Sequence, residues 1–140
     1  MKYVSLLLVI GATILLNPGK ASACFCSPPA FSQSIMDAKA IFSGKAVEVS
    51  SKKVVFAVEE VWKGQVGEKI TLGIDGSSCN YPFQQGETYL VYALKHKDSY
   101  FSEYRLFTNS CTRTRRLGEA KEDIKKLWSL KLHRRKKLNL

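Results

Sequence analysis

The sequence predicts an all-β fold, a five-stranded barrel followed by one C-terminal α-helix. Short segments of alternating or continuous apolar residues, each bounded by turn-forming residues, recur between residues 40 and 107. From residue 117 the apolar period changes to three and four, as in an amphipathic helix. Five short strands and a terminal helix in about 90 residues favour a small barrel of the oligonucleotide/oligosaccharide-binding (OB) type, because a sandwich needs nearer seven strands.

The N-terminal residues are typical of a secretory signal peptide. Lys2 precedes an apolar run over residues 3–16, and Ala21-Ser22-Ala23 forms a small-residue cleavage site. A membrane anchor is the alternative, but a spanning helix needs about 20 apolar residues and this run is shorter. We therefore expect a signal peptide over residues 1–23 and a secreted protein, extracellular or periplasmic. The mature chain is then long enough for one domain.

The first mature residues are turn-rich. Prolines within residues 27–33 lack the hydrogen-bond donor of a sheet ladder, so no strand is expected there. Residues 34–40 can form a short helical turn. The predicted strands are residues 40–49, 52–64, 68–74, 87–95 and 99–107.

Turn-forming residues separate these strands at residues 63–67 and 75–86, and a turn at 95–98 is expected to pair the last two. The fourth strand is apolar for longer than the others, as in a strand buried on both faces. Inward-facing side chains are predicted on the second and third strands at Val54, Phe56, Val58, Ile70, Leu72 and Ile74.

The C-terminal helix carries one apolar stripe and a basic end. The stripe is expected to dock on the same domain, and its members are Leu117, Ala120, Ile124, Leu127 and Trp128. Residues 24–112 hold nine basic and nine acidic residues, whereas residues 113–140 hold eleven basic and three acidic residues. The basic character of the chain therefore belongs to its C-terminal part and not to the barrel.

The basic end, residues 129–140, has three interpretations. It can be a solvated, partly disordered tail, as blocks of like charge usually are. It can bind anionic cell-surface polymers or lipid head groups electrostatically. It can bind nucleic acid, as OB barrels often do. Export, oxidised cysteines and the balanced charge of the barrel argue against nucleic acid.

The residue pattern does not favour an enzyme. His96 falls in a predicted turn and His133 in the basic end, and neither has a carboxylate or cysteine at a working spacing. Glu59 and Glu60 are neighbours on a strand, so their side chains point to opposite faces. No cofactor of its own is expected for this chain.

All four cysteines, Cys24, Cys26, Cys79 and Cys111, follow the predicted cleavage site. An even number in an exported chain argues for two disulfides. A bond from Cys24 to Cys26 would be strained, which leaves two connectivities open. Structural zinc sites use gaps of two to four residues, and redox pairs favour C-x-x-C, so neither use is expected.

Lipid attachment at Cys24 is a further alternative. A lipoprotein signal places a large apolar residue three positions before the cysteine, where this chain has Ala21, and it runs directly from the apolar core into that site. Here residues 17–20 intervene. Acylation would also leave an odd number of cysteines for disulfides. Both observations disfavour a lipid anchor.

The first mature residues, Cys24-Phe25-Cys26-Ser27-Pro28-Pro29, resemble those of the tissue inhibitors of metalloproteinases (TIMPs), whose mature chains begin Cys-x-Cys-x-Pro-Pro. The resemblance continues at Ala40-Ile41-Phe42-Ser43-Gly44, Val61-Trp62-Lys63-Gly64, Ser77-Ser78-Cys79-Asn80-Tyr81 and Cys111. It covers the N-terminal, netrin-like OB domain of the family, residues 24–128, and leaves residues 129–140 as a basic tail. The third disulfide of that domain and the C-terminal domain of the family are absent, as in bacterial members.

The resemblance implies disulfides Cys24–Cys79 and Cys26–Cys111, and a function as an inhibitor of zinc metalloendopeptidases. It implies that the backbone amine and carbonyl of Cys24 bind the catalytic zinc of the target protease. Phe25 would then enter the hydrophobic pocket beside that zinc. The protease-binding residues that it implies are Cys24, Phe25, Cys26, Ser27, Pro28, Ser77 and Ser78. Alternatively, the disulfides only fasten the terminus, and the protein is a non-inhibitory module that its basic tail holds to an anionic cell envelope.

Overall fold

A computed structural model describes residues 24–74, 77–96 and 104–138 of the chain. The predicted signal peptide and its cleavage site lie outside these residues, as do residues 97 and 98 of the predicted turn at 95–98. The elements in chain order are α1 (Phe31–Asp37), β1 (Ala40–Val49), β2 (Lys53–Lys63), β3 (Lys69–Gly73), β4 (Thr88–Lys95), β5 (Leu106–Phe107), β6 (Arg115–Arg116), a 3₁₀ turn (Leu117–Glu119) and α2 (Lys121–Leu138).

The strands form a closed barrel of the OB-like type. Hydrogen-bonded neighbours follow the order β1-β2-β3-β5-β4, and β1 also pairs with β4, which closes the ring. The β3–β5 pairing, through Gly73 and Phe107, is parallel, whereas the others are antiparallel. Strand β6 adds to β4 outside the ring. The predicted fold class, a five-stranded barrel with a C-terminal helix, is confirmed.

Strand β1 closes the barrel because it pairs with two strands, β2 on one side and β4 on the other. It pairs with β2 along most of its length and with β4 from Ala40 to Lys45. Three register shifts against β2 bend the strand, as β-bulges do. Gly44 lies at one of these shifts, where an added Cβ would lie 2.7 Å from the carbonyl oxygen of Ala57. Only glycine therefore allows the two strands to approach this closely.

Buried side chains form two apolar clusters on opposite faces of the sheet. The cluster inside the barrel contains Phe42, Phe56, Leu72 and alternate residues of β4. The second cluster lies between the barrel and the helices and takes the intervening β4 residues. Strand β4 is therefore buried on both faces, which explains its long apolar run.

Helix α2 docks on the barrel through the predicted stripe. Ala120 and Leu127 are buried in the second cluster, and Leu117 and Ile124 pack against it. Trp128 stays 38% exposed and packs edge-to-face on Trp62, with ring centroids 5.9 Å apart. Beyond Trp128 the helix continues to Leu138, so most of the basic end is helical. In the described parts of the chain, no helix combines the length and the apolarity needed to cross a bilayer.

Element bounds agree with the sequence in β1 to β4 and differ elsewhere. Helix α1 begins at Phe31, earlier than predicted, with Ala30 as the N-cap residue between it and the proline pair. Within the described part of the predicted fifth strand, only Leu106–Phe107 is extended. The sequence did not predict β6, because two arginines carry no strand pattern.

Candidate functional site

Two disulfides fix the irregular segment that precedes α1. Cys24 is bonded to Cys79 and Cys26 to Cys111, with Cα–Cα distances of 5.1 and 5.3 Å. The separations along the chain are 55 and 85 residues, so each bond closes a long loop. The structure thus has the pairing that the TIMP resemblance implies and decides between the two connectivities that spacing left open.

The two disulfides lie against each other. The sulfur of Cys24 is 3.8 Å from that of Cys26 and 3.9 Å from that of Cys111. Three of the sulfurs, those of Cys24, Cys79 and Cys111, lie within 4.8 Å of one another, as the ligands of a metal ion would. However, metals bind thiolates, and here each sulfur is part of a disulfide. In this state the sulfur cluster acts as a double covalent anchor.

The loops that carry the partner cysteines are also bonded to each other. The backbone N–H of Ser110 donates to the carbonyl of Cys79 at 2.8 Å, and its hydroxyl donates to the carbonyl of Asn80 at 3.1 Å. The N–H of Cys111 donates to the Asn109 side-chain oxygen at 3.0 Å. The two loops to which the disulfides attach the N-terminal segment are therefore also joined to each other by hydrogen bonds.

Arg113 joins the N-terminal segment to helix α2. Its Nη1 donates to the carbonyl of Pro29 at 3.2 Å, while Nε and Nη2 donate to the two Asp123 carboxylate oxygens at 2.8 and 2.6 Å. The hydroxyl of Tyr92 donates to the same carboxylate at 3.0 Å. Asp123 is 2% exposed and lies in the first turn of α2, where the helix dipole favours negative charge.

Opposing effects set the pKa values in this cluster. Burial alone would raise the pKa of Asp123, but hydrogen bonds from Arg113 and Tyr92 outweigh it and hold that pKa below its ordinary value. The hydrogen bond to Asp123 raises the pKa of Arg113. Burial, followed by the charge of Asp123, raises the pKa of Tyr92. Asp123 and Arg113 are thus both charged at neutral pH, and Tyr92 is neutral.

Hydrogen bonds of buried threonine hydroxyls hold the segment around Cys111 in place. The Thr108 hydroxyl donates to the carbonyl of Tyr92 at 3.0 Å and lies 3.0 and 2.8 Å from the hydroxyls of Thr112 and Thr114. The N–H of Tyr92 donates to Thr114 at 3.0 Å. These bonds fasten residues 108–114, and with them Cys111, to strand β4.

The predicted binding residues lie on an exposed edge of the molecule. Phe25 is fully exposed, at 102%, although it stands between two anchored cysteines. Cys24 is partly exposed, and the other residues of this N-terminal edge are exposed: Cys26, Ser27, Pro28, Ser77 and Ser78. The Cys24–Cys79 disulfide brings the loop of Ser77 and Ser78 to the terminus. The structure therefore brings the predicted site residues together.

In the part of the chain that the structure describes, neither of the two main cavities forms a small-molecule site at this edge. The cavity beneath it, next to Pro29 and Cys111, has a volume of only about 150 Å³. A cleft of about 810 Å³ lies elsewhere, between the end of α1 and strands β4 and β5, and none of the predicted site residues lines it.

The remaining candidate residues have other surroundings. His96 stacks on Phe107, with ring centroids 4.5 Å apart, and His133 is exposed on α2. Glu59 is exposed, whereas Glu60 forms an ion pair with Lys131. None of these side chains belongs to the N-terminal edge.

Sequence reasoning missed Arg113 and Asp123. The sequence feature that could have drawn attention to Asp123 is its place in the first turn of a helix. A carboxylate there is usually exposed and interacts with the helix dipole. Burial of Asp123 depends on α2 lying across β4, a contact that spacing does not reveal.

No protein-family model and no curated protein matches this chain. The fold and the site define a class instead: an OB-like barrel whose N-terminal segment is anchored by two adjoining disulfides and presents one apolar side chain to solvent.

Proposed function

We propose that this protein is a secreted inhibitor of zinc metalloendopeptidases. The observation that carries the proposal is the complete exposure of Phe25 between Cys24 and Cys26, each of which is bonded to the barrel. An apolar side chain held in solvent by two covalent anchors costs hydration free energy, and insertion into a partner would recover it. The resemblance of residues 24–29 to the start of the TIMPs indicates which partner.

The chemistry at Cys24 suits a catalytic zinc. Such a zinc keeps one coordination position open for water or substrate. Once a signal peptidase has cut after Ala23, Cys24 has a free α-amine, and α-amines have ordinary pKa values of about 7.7–8.0. A neutral amine is therefore accessible near neutral pH. The amine and the carbonyl of one residue can bind a metal together, displacing its water.

The disulfides reduce the cost of this binding. A free N-terminal segment would lose backbone and side-chain freedom on entering the protease cleft. Here the Cys24–Cys79 bond fixes the zinc-binding residue itself, and the Cys26–Cys111 bond fixes the residue two positions later. The segment is already ordered, so more of the contact free energy remains as affinity.

Phe25 would determine which proteases bind. Next to the proposed zinc ligand, its ring would enter the pocket beside the metal, and a ring of this size would require a deep apolar pocket. Ser27, Pro28, Ser77 and Ser78 would form the polar rim of the contact. Two structural disulfides are typical of oxidising compartments, which supports an extracellular or periplasmic location.

One added residue tests the mechanism. Mature protein beginning at Cys24 is compared with a variant that has a single alanine before Cys24, and intact mass verifies each N-terminus. Both forms keep the same disulfides, but in the variant the amine of Cys24 becomes a peptide nitrogen. We expect the first form to inhibit a thermolysin-type or matrixin-type zinc endopeptidase and the second to have lost inhibition. Equal inhibition by both forms would exclude zinc binding by Cys24, and an acyl mass on Cys24 would exclude a free amine.

A further inference from the structure

Helix α2 extends beyond the part that packs on the barrel. Docking contacts end at Lys131, which forms an ion pair with Glu60, donates to the carbonyl of Val61 at 3.0 Å and lies 5.1 Å from the Trp128 ring centroid. From Leu132 to Leu138 all residues are exposed, and their side chains form no hydrogen bond or ion pair with the described residues. Nearly two turns of helix therefore contribute nothing to the core.

This extension, residues 132–138, is dense in positive charge. It contains Arg134, Arg135, Lys136 and Lys137 and no acidic residue. The two carboxylates of α2 lie in its first turn and are already paired, Glu122 with Lys126 and Asp123 with Arg113. No charge on the helix therefore neutralises the extension.

Interaction with the helix dipole explains only part of the concentration of cations in this extension. It favours cations in the last turn, by about 0.3–1 kcal/mol each at low ionic strength. Against this, Lys131 and Arg134, and Arg134 and Lys137, are like charges three residues apart on one side of the helix, which costs a few tenths of a kcal/mol per pair. A ligand with several negative charges would remove the repulsion and keep the dipole interaction.

The apolar residues near the extension argue against insertion into a bilayer. At 3.6 residues per turn, Leu130, Leu132 and Leu138 point in directions about 80° to 160° apart around the axis. The partly exposed Trp128 lies on the same side as Leu132, but its ring packs on Trp62 of the barrel. They form no common apolar face of the kind that an interfacial membrane helix buries. Binding here would be electrostatic, without burial of an apolar stripe.

Nucleic acid fits the surface poorly. Proteins that bind single strands combine a basic groove with a row of exposed aromatic rings. The barrel residues are balanced in charge, and among the described residues the exposed large aromatic side chains are Phe25 and Trp128 alone. The cations stand on the helix and not across a barrel face.

We propose that the cationic extension of α2 is a binding site for a linear anionic polymer of an extracellular surface, one with closely spaced phosphate or sulfate groups. The four side chains start within about 5 Å along the helix axis. Lys137, Arg134 and Arg135 point within about 160° of one another around it, so these three long side chains can reach successive charges of one flexible strand. The site is independent of the proposed inhibition. Asp123, next to Arg113 and the N-terminal segment, lies about 21 Å along the axis from Lys137, so both sites can be occupied together.

The test uses the mature protein with two probes, heparin as a sulfated polysaccharide and inorganic polyphosphate. A helix variant, R134Q/R135Q/K136Q/K137Q, is compared with a barrel variant that also removes four exposed cations, K45Q/K52Q/K69Q/K95Q. Circular dichroism verifies that α2 remains helical in both. Binding is measured from 0.05 to 0.3 M salt.

We expect the wild type and the barrel variant to bind with log–log salt slopes of about −2 to −3, the value for three or four ionic contacts with a flexible polymer. The helix variant should bind at least tenfold more weakly at 0.15 M salt. Equal loss in the two variants would show that net charge alone attracts the polymer and would overturn the proposal. Tighter binding to anionic lipid vesicles or to single-stranded DNA than to either probe would also overturn it, in favour of a membrane or a nucleic acid.

Discussion

Arg113 and Asp123 form a two-pronged ion pair, with Nε···Oδ2 and Nη2···Oδ1 distances of 2.8 and 2.6 Å, between the segment that follows Cys111 and the last helix. The third contact of the guanidinium, with the carbonyl of Pro29, lies only three residues after Cys26. The same side chain therefore holds helix α2 on the barrel and supports the segment that carries the proposed zinc ligand.

Asp123→Asn should destabilise the protein strongly. The change keeps the shape of the side chain but leaves the largely buried guanidinium of Arg113 without a counter-charge, and breaking a buried pair in this way costs about 3–5 kcal/mol. The free energy of unfolding in urea measures the effect. Glu122→Gln is the matched control, because its exposed ion pair with Lys126 is worth only a few tenths of a kcal/mol. Equal effects of the two substitutions would show that the Arg113–Asp123 pair does not stabilise the fold.

The same pair predicts how stability depends on pH. Because the folded-state pKa of Asp123 lies below its unfolded value of about 3.9, the unfolded state binds more protons between the two values. The contribution of Asp123 is therefore complete above about pH 5 and is lost as pH falls through the folded-state pKa. Urea unfolding of the wild type and Asp123→Asn from pH 2 to 7 should give a difference that shrinks only below about pH 5. A difference that stays constant over this range would contradict the assignment.

Phe25→Ala should weaken inhibition without affecting folding. The side chain makes no contribution to the core, but its burial in a protease pocket would be worth roughly 2 kcal/mol, or about 30-fold in the inhibition constant. Leu132→Ala is the control, since it also removes an exposed apolar side chain but lies on the extension of α2. The thermal midpoints of both variants should stay at the wild-type value. If Phe25→Ala inhibits as well as the wild type does, this ring is not the pocket-filling group.

Removal of the Cys26–Cys111 disulfide should lower both stability and affinity. The bond closes a loop of 85 residues, for which the loop-entropy relation gives about 4.6 kcal/mol as an upper figure. Paired Cys26→Ser and Cys111→Ser substitutions avoid a free thiol and leave Cys24 bonded to Cys79. Urea unfolding should report the loss of stability. At temperatures where the variant stays folded, its inhibition should be weaker than that of the wild type, because Phe25 is then held from one side only.

Strand β2 illustrates what local pattern can predict. Val54 and Phe56 are buried and Val58 packs against the same cluster, because alternate side chains of a strand share a face wherever that strand lies. Two of the segments that resemble the TIMPs, residues 40–44 and 61–64, each contain a glycine that the packing of the barrel requires. Gly44 allows close approach of β1 to β2, and Gly64 has a φ of 84° where an added Cβ would meet the carbonyl of Lys39 at 2.6 Å. These matches therefore reflect the packing of the barrel.

The sequence by itself determined the strand periods, the bounds of β1 to β4 and the stripe that docks α2, because each depends on neighbours along the chain. Only the tertiary structure decided that β3 pairs in parallel with β5 and that Asp123 is buried beside Arg113. These relations join residues that closure of the barrel brings together, and spacing along the chain carries no information about that closure.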